Sequence, residues 1–75
     1  MIIDIKDILT LDDDNEYVVV SKINYNNKNY YYLVDTNNSN NLKFCYEVDN
    51  SLIEITDKIL ITKLLPLFIK NTKNN

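Results

Sequence analysis

Residues 16–34 read EYVVVSKINYNNKNYYYLV, and the two asparagines near the middle decide the fold. Glu16 to Tyr25 is rich in β-branched and aromatic side chains, which suit a pleated surface, and Lys28 to Val34 repeats that character. The connection between them is Asn26-Asn27. A two-residue type I′ loop needs positive φ at both central positions, and after Gly the residue that reaches it most readily is Asn. A hairpin follows, in which Ile23 opposes Tyr30, Ser21 opposes Tyr32 and Val19 opposes Val34. On this register the other side of the hairpin carries Val18, Val20, Tyr31 and Leu33, so both of its faces are apolar.

The same grammar extends in both directions. The 75 residues contain no Gly and thirteen Asn, so Asn takes the turn positions that Gly usually fills. Ile8 to Leu11 reads as a short strand, closed by the acidic turn Asp12-Asp13-Asp14-Asn15. Thr36 to Asn41 is polar and without periodicity, which predicts a mobile loop. Beyond it, Leu42, Phe44, Tyr46 and Val48 alternate with Lys43, Cys45 and Glu47. Asp49-Asn50 makes a second tight turn that sets Tyr46 opposite Ile53 and Phe44 opposite Ile55. From Asp57 to Lys70 the pattern is helical: Thr56 or Asp57 caps the start, and Asn71 ends the helix in the left-handed conformation. Pro66 falls on the polar stripe with Thr62, where water can take up the freed carbonyl, so a kink or a second short helix is expected there.

These elements compose a small α+β domain, a curled five-stranded antiparallel β-meander with one C-terminal α-helix, with a closed SH3-like barrel as the competing outline. The expected domain spans residues 1–71, with 72–75 as a frayed tail.

Composition excludes more chemistry than it offers. With no His and the single Cys45, neither the common nucleophile–base pairs nor soft metal sites can be assembled, so no enzyme activity, metal or organic cofactor is expected. Asp12, Asp13, Asp14 and Glu16 do not follow the alternation of a calcium loop and read as an ordinary turn. A net charge of −3, with lysines scattered singly, argues against direct nucleic-acid binding. The six tyrosines read as cross-strand packing before base stacking. Cys45 reads as core filler, since only Lys43 is placed to lower its pKa. Asp4, Lys6 and Asp7 interrupt the first residues, which makes no signal-peptide core, and no apolar run approaches a membrane span, so a cytoplasmic protein without membrane contact is expected.

The stretches Leu9-Thr10-Leu11-Asp12-Asp13, Glu16-Tyr17-Val18-Val19-Val20 and Tyr25-Asn26-Asn27-Lys28-Asn29-Tyr30 resemble the YrzB-like small bacterial proteins of unknown function. Those pair a short acidic turn with a hairpin and further strands leading to a C-terminal segment. Asn27 stands where such sequences favour Gly. The resemblance implies a fold outline and no site.

The functional expectation is therefore a non-catalytic module that binds another protein or itself as a homodimer, through Val18, Val20, Tyr31 and Leu33. The alternative is a phage-encoded acidic inhibitor that occupies the nucleic-acid site of a host enzyme through Asp12, Asp13, Asp14 and Glu16. Salt separates them, because an acidic mimic loses affinity steeply as salt rises.

Overall fold

Each of the two tight turns expected from the sequence is made by a pair of residues in the left-handed region. Asn26 and Asn27 have φ of 51° and 63°, and Asp49 and Asn50 have φ of 49° and 66°. They join strands β2 (Glu16–Tyr25) to β3 (Lys28–Asp35) and β4 (Asn38–Val48) to β5 (Ser51–Glu54) in the computed structural model, which describes residues 3–73. Strand β1 (Ile8–Thr10) precedes them, and helix α1 (Lys58–Lys73) follows. All neighbours pair antiparallel in the order β1-β2-β3-β4-β5. This is the expected curled five-stranded meander with one C-terminal helix. β1 and β5 do not pair, so the SH3-like closure does not occur and the sheet remains open.

The central hairpin holds the expected register only near its loop. Ile23 faces Tyr30 and Ser21 faces Tyr32, but Val19 then faces Leu33, because Val20 is an extra residue in a β-bulge. A bulge of one residue reverses the facing of everything beyond it. Tyr17 and Val19 thus join Tyr31, Leu33 and Cys45 on one face, while Val18 joins Val34 on the other. The expected grouping of Val18, Val20, Tyr31 and Leu33 is corrected accordingly: Tyr31 and Leu33 are only 1% and 0% exposed. The bulge also turns the backbone of Val19 outward. Its N–H donates to the Asp7 carbonyl (2.9 Å), and its carbonyl accepts from the Lys6 N–H (2.8 Å), which straps the segment before β1 onto the sheet.

Residues 36–41 are not one open loop. The chain turns at Thr36-Asn37, Asn38 returns opposite Asp35, and three residues are then out of register before Leu42 meets Val34. Side chains hold this irregular start of β4. The Asn37 N–H donates to Asp35 Oδ1 (2.8 Å), the Asn40 N–H to Asn38 Oδ1 (3.1 Å), and Asn41 Nδ2 to Asp35 Oδ2 (3.0 Å). Short polar side chains that bond nearby backbone supply order that hydrophobic periodicity cannot reveal.

Two apolar clusters lie on opposite sides of the sheet. The inner face buries Ile3, Tyr17, Val19, Tyr31, Leu33 and Cys45, with Leu9, Leu11 and Leu52 packed against them. The helix face buries Tyr30, Ile55, Leu64 and Phe68, with Tyr32, Phe44, Tyr46 and Leu60 around them. The consecutive residues Tyr30, Tyr31 and Tyr32 alternate between these faces as a strand requires. Asp57 caps α1, its Oδ1 accepting from the Ile59 N–H at 2.9 Å. The helix runs unbroken through Pro66, since Pro66 and Thr62 are both exposed to water. It also runs past Asn71, which corrects the expected stop there and places residues 72 and 73 in the helix, while 74 and 75 lie outside the described residues. Asn71 has a partner in the sheet: its Nδ2 donates to the Lys22 carbonyl at 2.8 Å. That contact caps the stretch of β2 edge beyond the bulge.

Candidate functional site

Because β1 and β5 are the two edges of one curled sheet, they form the lips of a cleft over the inner face. The cleft encloses about 790 Å³. Leu9, Leu11, Leu52 and Cys45 give it an apolar floor, and Asp12, Asp13, Lys43 and Glu54 stand at its rim. Lys43 reaches both lips: its Nζ lies 3.1 Å from Glu54 Oε1 on β5 and 3.9 Å from Asp13 Oδ2 in the β1–β2 turn. The hydrogen bond to Glu54 raises the Lys43 pKa above its ordinary value. Cys45 is 2% exposed, and burial pushes its thiol up to about 11. A thiol held protonated is a poor nucleophile.

The acidic turn is tied into the sheet by a tyrosine. Tyr17 Oη donates to Asp13 Oδ2 at 2.6 Å and accepts from Asn41 Nδ2 at 3.0 Å. Asp13 Oδ1 accepts from the Asn15 N–H at 3.0 Å. The Tyr17 bond, more than the Asn15 amide, holds the Asp13 carboxyl below its ordinary value. Burial of the Tyr17 ring and its bond to Asp13 raise the phenol in turn. A group whose folded pKa is depressed stabilises the fold above its unfolded pKa, and that stabilisation is lost as pH falls through the folded value. Tyr17→Phe should therefore return the Asp13 titration, followed by carboxyl NMR, toward the ordinary value. The variant should melt below the wild type above about pH 5, with the gap closing under more acid conditions. An unchanged Asp13 titration would remove Tyr17 as the cause.

A second surface lies on the helix face beyond the reach of α1. Ile8, Val18, Val34 and Leu42 are successive partners across β1, β2, β3 and β4, so their side chains form one cross-strand row. Ile8 is 60% and Leu42 43% exposed, and Val18 and Val34 are half-buried. The next row, Ser21, Tyr32 and Phe44, is where Phe68 packs. The apolar row thus begins where the helix cover ends.

Of the residues singled out from sequence, Val18 lies in this row and Val20 is the half-buried bulge residue beside it, while Tyr31 and Leu33 belong to the inner core. Asp12 and Asp13 border the cleft, and Asp14, with φ of 64°, makes the turn. Glu16 pairs with Thr10 at the end of β1. Ile8, Val34 and Leu42 were legible only through the true register, and Lys43 and Glu54 only through the open seam. Among the described residues no group of three or more acids or Cys converges as metal ligands. Also among these residues, no helix is long and apolar enough to cross a membrane. Comparison with protein-family models, with curated proteins and with solved structures gives no match to this chain.

Proposed function

We propose that this domain is a non-catalytic protein-binding module whose contact surface is the row Ile8–Val18–Val34–Leu42, with a second copy as its first partner. The observation that carries this reading is the alignment of four apolar side chains across four strands at the margin of the helix. Scattered exposed apolar residues are common on monomers, whereas contiguous ones mark interfaces. A second copy offers the same apolar row to itself, as a two-fold contact requires. The buried, protonated Cys45 supports the non-catalytic part of the reading. Kinship with the YrzB-like proteins belongs to the same proposal and rests on the acidic turn, hairpin and C-terminal helix in that order.

Ile8→Lys combined with Leu42→Lys tests it. Both side chains are exposed, so the variant should keep the wild-type circular dichroism and melt within a few degrees of it. In sedimentation velocity over a concentration series, the wild type should associate and the variant should remain monomeric. A wild type that stays monomeric at millimolar concentration would overturn self-association.

One observation favours the inhibitor reading as well. Every acidic residue lies in residues 1–57 together with four lysines, while α1 carries only lysines as its charged residues. Residues 1–57, with eleven acids against four lysines, are thus far more acidic than the chain as a whole, and most of those acids lie in turns and in the segment before β1. A phage-encoded inhibitor acting through Asp12, Asp13, Asp14 and Glu16 would lose its enzyme steeply between low and high salt, and association through the apolar row would not.

A further inference from the structure

We infer that the seam between β1 and β5 is a strand-acceptor site, filled by an extended segment of a partner protein that alternates apolar with basic side chains. The backbone argument comes first. The Val19 N–H donates to Asp7 O (2.9 Å) and the Leu11 N–H to Asn15 O (3.1 Å), and Leu9 opposes Tyr17 between them. In an antiparallel ladder, bonded and non-bonded pairs alternate, so Asp7, Leu9 and Leu11 face β2 and Ile8 and Thr10 turn their N–H and C=O outward. On the other lip the Ile55 N–H donates to Phe44 O (2.7 Å), and the same alternation turns Leu52 and Glu54 outward. Both lips therefore offer donors and acceptors at strand spacing. The group that matches such a row is another extended backbone. Neither β1 (ILT) nor β5 (SLIE) carries the Pro or Lys that commonly blunts an exposed edge.

Size and chemistry agree with that occupant. The cleft of about 790 Å³ lies in the range of specific binding sites, ~300–1,000 Å³. Lips of three and four residues suit a segment of similar length. Alternate side chains of the segment would point onto Leu9, Leu11, Leu52 and Cys45. At the rim, Asp12, Asp13 and Glu54 face the single cation Lys43, so the segment's Lys or Arg is attracted and its acids are repelled.

The test uses the full, isotope-labelled chain and three synthetic octapeptides: alternating Val and Lys, alternating Val and Glu, and the Val/Lys peptide N-methylated at every second residue. The Val/Lys peptide should give saturable amide shifts centred on Ile8, Thr10, Leu52 and Glu54, with at least tenfold slower hydrogen exchange at those amides. The other two peptides should bind at least tenfold more weakly. Thr10→Pro removes an outward donor without breaking the β1–β2 ladder, and it should cost at least tenfold in affinity for the Val/Lys peptide. Leu42→Lys should leave peptide binding intact while abolishing self-association, so the two surfaces fail or succeed separately. Absence of saturable shifts, shifts confined to the Val18–Val34 row, or equal binding of the Val/Glu or N-methylated peptide would overturn the site.

Discussion

Replacing Tyr31 and Leu33 together with lysine should unfold the domain. Both side chains lie inside the inner cluster with Tyr17, Val19 and Cys45, at 1% and 0% exposure. Losing one buried side chain of this size costs ~2–5 kcal/mol, and an unpaired charge left in its place adds to that. A domain of this length has ~4–11 kcal/mol of stability in all, at 0.05–0.15 kcal/mol per residue. Tyr31 also donates its hydroxyl to Glu47 Oε1 at 2.8 Å, a bond that holds the Glu47 carboxyl below its ordinary value. Its loss costs stability at neutral pH and matters less as Glu47 protonates in acid. Circular dichroism of the double variant should show no cooperative melt, whereas Ile8→Lys with Leu42→Lys keeps one. The uninterrupted register expects the reverse for Tyr31 and Leu33, with those residues on an open patch. A folded Tyr31→Lys, Leu33→Lys variant would show that the inner face is not a closed apolar core.

That contrast marks where the sequence stops being legible. The loops Asn26-Asn27 and Asp49-Asn50 could be placed because positive φ at two successive positions restricts residue choice, and each loop fixed the pairing for the residues nearest it. The bulge could not be placed. Val18, Val19 and Val20 have the same shape and β-propensity, so local pattern does not say which of them is the extra residue. Long-range bonds from Val19 to Lys6 and Asp7 accompany the displacement, and no periodicity within β2 reports them. Asn71 is a similar case. As an isolated residue it suits a helix end, yet a bond to the Lys22 carbonyl occupies it inside the helix. Of the candidate surfaces, Val18 and the acidic turn were legible as residues but not as neighbours. The apolar row depends on the bulge, and the cleft depends on the sheet staying open, which neither composition nor alternation decides.

The helix should prove indispensable to the fold, and unevenly so around its circumference. Phe68 and Leu64 are fully buried, and the Phe68 ring lies 5.9 Å from that of Tyr32 and 5.8 Å from that of Phe44, themselves stacked at 5.0 Å. Phe68 also ties backbone to sheet, since its carbonyl accepts from the buried Ser21 hydroxyl at 3.2 Å. Phe68→Ala should cost ~3–5 kcal/mol and Leu64→Ala ~2–5 kcal/mol, each a large part of the total. Ile59, at 71% exposure on the outer side of the same helix, should tolerate Ala within ~0.5 kcal/mol. Removing the helix uncovers Ile23, Tyr30, Tyr32, Phe44, Tyr46 and Ile55 at once, while the inner cluster alone has six buried residues to hold the sheet. A chain ending at Thr56 should therefore show no sigmoidal urea transition by far-ultraviolet circular dichroism, and adding the peptide 57–75 in trans should restore one. If the shortened chain instead melted cooperatively near the wild-type temperature, the inner face would be the whole of the stabilising core, and α1 an attachment to a sheet already folded.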